Sequence, residues 1–116
     1  MKVALLTVAL CLLLAAPTAA KPAPARLLVE AREFNLTLSR AKIKPGTAII
    51  QMVNRGQDPH DLAIQRIGGK RRGKIHKTLP GELGSWDGKL RRGRYKLFCT
   101  LEGHRGLGMR ATLRVR

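Results

Sequence analysis

Near its end the chain carries Tyr95-x-x-x-Cys99-x4-His104-x4-Met109, and an earlier stretch carries Asn54-x-Gly56-x-x-Pro59-His60. Together these supply two imidazoles, one thiolate and one thioether. They are the donors of a mononuclear copper site for electron transfer, with two histidines and a cysteine in a plane and a methionine standing off along the axis. Thiolate and thioether are soft and favour copper, although zinc also accepts histidine and cysteine. Four residues separate the cysteine from the histidine and four more separate that histidine from the methionine, so one turn between two strands can deliver three donors. His60 must then come from another strand. An ion clamped between separate strands sits in a rigid site, which keeps its geometry similar in two oxidation states and lowers the cost of moving an electron.

The N-terminus sets the compartment. Lys2 precedes an apolar run from Val3 to about Ala16, and Thr18-Ala19-Ala20 suits cleavage after Ala20. The run is shorter than the roughly 20 residues of a spanning helix. Residues 1–20 are therefore expected to be a signal peptide, and the protein to be exported to the periplasm, the cell surface or the medium. Cys11 lies in that run behind the bulky Leu10, not behind the small residue that precedes a lipid-modified cysteine, and leaves with it. Cys99 is then the one thiol in an oxidising compartment, without a disulfide partner and open to oxidation unless something occupies the sulfur. A lone cysteine often packs as a small hydrophobe; His104 and Met109 close behind it argue for a ligand instead.

Removing twenty residues from 116 leaves 96, enough for one small domain. Residues 21–26, with two prolines among alanines, read as a flexible leader, and residues 27–116 as the domain. Leu27 to Leu38 has strand character, with a change of parity between Ala31 and Phe34 that predicts a bulge or break near Arg32. Lys44-Pro45-Gly46 signals a turn, and residues 47–53, apolar on both faces, read as a central strand. His60 opens the next strand, with Leu62 and Ile64 on one face. Residues 66–77 hold six Lys or Arg and three Gly among twelve positions, which predicts a mobile basic excursion with His76 as a solvated loop residue. Gly81, Gly84 and Gly88 are expected to mark turns, and Trp86 to fill core. Tyr95, Leu97 and Cys99 alternate inward, as do Ala111, Leu113 and Val115 on the last strand. Seven or eight short strands and no amphipathic helix of normal length predict an all-β Greek-key sandwich.

Asn54-x-Gly56-x-x-Pro59-His60-Asp61-Leu62, followed by Gly93-x-Tyr95-x-x-x-Cys99-x4-His104-x4-Met109, resembles the cupredoxins, in particular the small bacterial plastocyanin- and azurin-like type 1 blue copper proteins, over residues 34–116. The resemblance implies one type 1 copper ion, with His60, Cys99 and His104 as strong equatorial ligands and Met109 as the weak axial one. It also implies that the electron leaves at the His104 ring edge, with Leu101, Gly106 and Leu107 as an apolar patch and Arg105 beside it. Asp61 stands where many relatives have asparagine. By resemblance this side chain ties the first-ligand strand to the cysteine loop, accepting from the Thr100 hydroxyl or a backbone N–H and adding negative charge near the metal. The Cys-to-His spacing is shared with azurin, rusticyanin and the phytocyanins and is longer than that of plant plastocyanin.

Charge is the second informative feature. Without Lys2, 22 of the 23 Lys and Arg remain against 7 Asp and Glu, a formal balance of about +15. A bland solvated surface is one reading. The others are an acidic redox partner protein and an anionic membrane or cell-wall surface. Nucleic acid is disfavoured, because Phe34, Trp86, Tyr95 and Phe98 are the only aromatics and an exported chain rarely meets it. A monomer is expected. Three functions follow: a one-electron carrier, a copper carrier or sequestering protein without redox turnover, and a basic binding module whose copper is structural. The axial methionine favours the first, and the lack of Met- or His-rich tracts weakens the second. An enzyme is not expected, since a filled mononuclear site leaves no position for substrate. The sequon Asn35-Leu36-Thr37 is too common by chance to carry a role.

Overall fold

The computed structural model describes residues 12–116. In chain order its elements are β1 (Ala25–Arg32), β2 (Asn35–Leu38), β3 (Lys42–Ile43), β4 (Gly46–Asn54), β5 (His60–Arg66), β6 (Arg72–Thr78), β7 (Leu83–Leu90), β8 (Gly93–Phe98), α1 (His104–Leu107) and β9 (Arg110–Val115). They form a β-sandwich of two mixed sheets, ordered β2-β1-β4-β7 and β3-β9-β8-β5-β6. β1 runs parallel to β4 and β3 parallel to β9, while the other pairs are antiparallel.

The period of two in each strand makes the core. Val29 and Ala31 of β1 and Ile50 and Met52 of β4 face Leu62 and Ile64 of β5, Tyr95 and Leu97 of β8 and Leu113 of β9 in one apolar cluster. β5 is buried on both faces from His60 to Ile64, because it lies between β8 and β6, with Phe98 and Lys74 of those strands flanking its outward Ala63 and Lys74 reaching Asp61. The parity change after Ala31 is the tip of the β1–β2 hairpin, which pairs Arg32 with Asn35. β4 lies inside its sheet, between β1 and β7, with only alternate residues fully buried.

Two expectations need correction. The basic excursion is not a mobile loop over its whole length: residues 72–78 are β6, hydrogen-bonded to β5, and His76 is an exposed strand residue. Ile75 anchors it, opposite Leu62 and buried in the core. Gly84 and Gly88 do not mark turns but lie inside β7. A Cβ at Gly84 would stand 2.8 Å from Thr78 Oγ1, and one at Gly73 of β6 would stand 2.6 Å from Trp86 Cε2. Gly84 makes room for Ile75 and Thr78 of β6, and Gly73 for the half-buried Trp86, which closes the open edge where β6 meets β7. Gly81, at φ 82°, is the turn glycine.

β1 begins at Ala25, inside the segment read as a leader, and residues 12–24 carry neither strand nor helix. Residues 1–11, with Cys11 and most of the apolar run of the expected signal peptide, lie outside the described residues. Among the described residues no helix is long and apolar enough to cross a membrane.

Candidate metal centre

The site sits at one end of the sandwich, where β5 begins and β8 ends. Asn54 shapes the turn that delivers the first histidine. Its amide donates to the carbonyls of Asp58 (2.7 Å) and Thr78 (2.9 Å), and its oxygen accepts the Gly56 N–H (2.9 Å). Every polar atom of this buried amide has a partner, which is why asparagine and not a hydrophobe opens the motif. Opposite His60, β6 carries an extra residue between its pairings to His60 and Leu62. Such a bulge re-aims side chains beside a functional site.

Cys99 follows directly on β8, and the loop after it turns through α1 into β9. The Cys99 N–H donates to the Met109 carbonyl and the Met109 N–H to the His104 carbonyl, each at 3.1 Å. Three of the four expected donors therefore hang on one hydrogen-bonded loop. His60, Cys99 and His104 bring one donor atom each within 4.8 Å of one another. His60 Nδ1 lies 3.2 Å from His104 Nδ1, which lies 3.7 Å from Cys99 Sγ. Both separations are shorter than twice a metal–nitrogen bond of about 2.0 Å, or that bond plus a metal–thiolate bond of about 2.3 Å. One ion can therefore bridge each pair. Met109 is fully buried in the adjoining core.

A second ring of contacts fixes this geometry. His60 Nε2 stands 2.8 Å from Glu33 Oε1, and the same carboxylate accepts the Gln57 N–H (3.0 Å) and the Asp58 N–H (2.8 Å). With Nε2–H donating to Glu33, Nδ1 is left as a lone-pair donor facing Cys99 and His104. Gly56 permits this, because a Cβ there would stand 2.6 Å from Glu33 Oε2. Next to Glu33, the Phe34 ring meets His104 edge-on at 5.2 Å. The tip of the β1–β2 hairpin thus holds both histidines. Asp61 accepts the Thr100 N–H at 2.6 Å on Oδ1 and the Thr100 hydroxyl on Oδ2, so it ties the β5 strand to the residue after Cys99, with Lys74 Nζ 3.4 Å from Oδ2.

The electrostatics follow from these contacts. The Asp58 and Gln57 N–H groups, with His60, hold the Glu33 carboxyl down to about 2. Burial pushes Asp61 up, but the Thr100 hydrogen bonds and Lys74 outweigh it and leave its carboxyl below the usual range. Burial pushes the Cys99 thiol up, and the neighbouring Asp61 charge adds to this. A neutral, buried thiol is the state a cation must convert, since binding removes the proton and replaces desolvation with a charge pair.

Against solved structures the chain is similar to a dithionite-reduced auracyanin from the photosynthetic bacterium Roseiflexus castenholzii, with a TM-score of 0.65 and 16% identity over 82% of this chain and 99% of that one. The chain has the cupredoxin fold. A second likeness is to auracyanin A, a blue copper protein of Chloroflexus aurantiacus, at a TM-score of 0.64 and 14% identity over 81% of this chain and all of that one. A multicopper oxidase also matches at 0.61 and 14% identity, with 83% of this chain covering 45% of that one. No family model and no curated protein sequence matches the chain.

Within this cupredoxin fold the structure brings His60, Cys99 and His104 to one point and places Met109 beside them in sequence and hydrogen bonding. Leu107 and Gly106 are exposed on α1, as is Arg105, and Leu101 is half-buried, so the apolar patch around His104 is small. Sequence reasoning did not find Glu33 or Phe34. Their signal was the parity change itself, since a hairpin tip next to the glycine of the first-ligand turn is a place where a side chain can reach the ligand.

Proposed function

We propose that the chain binds one copper ion through His60, Cys99 and His104, with Met109 as the weak axial ligand, and acts as an exported one-electron carrier. The observation that carries the reading is the convergence of two imidazole Nδ1 atoms and one buried thiol within 4.8 Å of one another. Two imidazoles, a thiolate and a nearby thioether are a donor set that suits copper in preference to the hard cations. Copper bound there would cycle between its two common oxidation states and carry one electron. The protein's part is to hold the donors still. Glu33 fixes the His60 ring, Asp61 ties the Cys99 loop to β5 through Thr100, and Phe34 supports the His104 ring.

His104 is half-exposed, and its ring edge is the electron's exit. With Met109 completing the set, His60, Cys99 and His104 would leave a bound ion no place for a substrate, so the reading is a carrier and not an enzyme. Export through residues 1–20 belongs to the same proposal: it would take the single thiol to an oxidising compartment, where a bound metal would protect it.

Copper loading followed by visible spectroscopy and voltammetry tests the proposal. An intense charge-transfer band is expected, and Cys99→Ser should abolish it while the protein remains folded. A colourless copper(II) complex at full occupancy would refute the type 1 assignment.

A further inference from the structure

The charged side chains on the outward face of the five-stranded sheet are, apart from Asp61, all cationic. Tyr95, Leu97 and Leu113 point into the core, so the alternate positions Arg94, Lys96 and Phe98 of β8 and Arg110 and Arg114 of β9 point out. Arg94 stands directly opposite Arg114, and Arg114 opposite Lys42. Like charges at cross-strand positions are destabilising, so three in a row carry a stability cost. Around Phe98, Arg105 lies 4.0 Å, Arg72 5.3 Å and Lys96 5.9 Å from the ring centroid.

No carboxylate answers these charges. Among the described residues the ion pairs are Arg55 with Glu30, His60 with Glu33 and Lys74 with Asp61, and none includes a cation around Phe98 or in the Lys42–Arg114–Arg94 row. The one acid among the outward positions of these strands, Asp61, is buried and already held by Thr100 and Lys74. Glu30 and Asp87 lie on strands of the other sheet.

We propose that this face, centred on the Arg72, Lys96 and Arg105 cluster over Phe98, is the docking surface for an acidic redox protein. The proposal rests on the electron-carrier reading and names the partner's chemistry. Arg105 follows His104 in sequence, so a carboxylate held by the cluster brings the partner against the His104 loop. A protein surface fits better than a lipid one for two reasons. Stacking on Phe98 holds cations in fixed places, which suits matched carboxylates more than a diffuse layer of headgroups. The outward positions of these strands also lack the exposed apolar side chains that would anchor a lipid-bound surface.

The test uses the reduced, copper-loaded protein with a decaglutamate peptide as the carboxylate probe, read by backbone amide shifts, beside oxidation by hexacyanoferrate(III) in stopped flow. Shifts are expected at Arg72, Lys96, Phe98 and Arg105. Arg72→Gln with Lys96→Gln should weaken the peptide and slow the anionic oxidant about tenfold or more, with the visible band of the oxidised form and the unfolding midpoint unchanged. Arg94→Gln with Arg114→Gln, which leaves the Phe98 cluster intact, should act in the same direction. Shifts centred elsewhere, such as the groove around Trp86, Arg71 and Arg91, would overturn the proposal, as would rates indifferent to both variants. Retention on phosphatidylglycerol vesicles that the variants lose, with no peptide binding, would also overturn it. Absence of a visible band after the loaded protein is oxidised would instead refute the copper reading, while the peptide map, repeated on metal-free protein, would still report on the face.

Discussion

Glu33 is where a single residue has the most leverage on the centre. Its carboxylate accepts from His60 Nε2, which makes the ring more electron-rich at Nδ1 and favours the more highly charged copper(II) state. Glu33→Gln should therefore raise the reduction potential, read by voltammetry, with the visible band retained. The same residue sets an acid limb. Its carboxyl sits at about 2 against an ordinary 4.5, so the folded state binds fewer protons there than the unfolded chain. That stability is fully present above about pH 4.5 and is lost as pH falls toward 2. Urea unfolding of metal-free protein should show a steeper decline through this window in wild type than in Glu33→Gln. As a ligand of the proposed site, Met109 would work in the opposite sense on the potential. A thioether favours copper(I) more than an amide oxygen does, so Met109→Gln should lower the potential while the protein stays folded and coloured. Cys99, His104 and Met109 could be read as candidates because their spacing along one loop is a covalent fact, and His60 because a turn motif precedes it; the structure brings His60, Cys99 and His104 together. Glu33 could not, because its contact with His60 is made where the β1–β2 hairpin tip packs on the turn before β5 and leaves no local spacing to read.

At the level of elements, the β1–β2 hairpin tip and the turn before β5 act as one unit, joined through Gly56. Gly56→Ala would put a Cβ 2.6 Å from Glu33 Oε2 and swing the carboxylate away from Gln57, Asp58 and His60. It should raise the potential as Glu33→Gln does, and the double variant should shift it no further than either single one, the coupling expected of residues in contact. Additive shifts would show that the glycine acts by another route. β6 and β7 show why the middle of the chain was harder to read. Gly73 and Gly84 lie in strands to make room for side chains from across the sheet edge, and Gly88 for Trp86 of its own strand, yet glycine in a sequence reads as a turn. Trp86 is the other half of that arrangement, and the sequence placed it as core filler without showing what it fills against. Trp86→Ala should cost about 2 kcal/mol in equilibrium unfolding, below the roughly 3–5 kcal/mol of a fully buried tryptophan because the ring is half-exposed. A change within experimental error would show that Trp86 does not hold β6 to β7.

Across the whole molecule, the excess of cations is arranged and not merely large. The strand-borne acids outside the metal centre, Glu30 and Asp87, lie on the four-stranded sheet, while the row Lys42–Arg114–Arg94 and the cations over Phe98 lie on the five-stranded one. The chain therefore has a direction as well as a net charge, and the two make different predictions for encounter with an anion. Net charge alone predicts that removing any two exposed cations slows association equally. A directed face predicts that position matters. Oxidation by hexacyanoferrate(III) should fall steeply with salt, because screening shortens from about 10 Å at 0.1 M to about 3 Å at 1 M. At low salt, Arg94→Gln with Arg114→Gln should slow that oxidation more than Arg32→Gln with Lys89→Gln, exposed cations on β1 and β7. The two variants carry the same net charge, so their difference isolates the face, and it should vanish toward 1 M salt. Equal rates at every salt concentration would leave the basic excess acting as a featureless charge, with the His104 loop alone choosing where a partner lands.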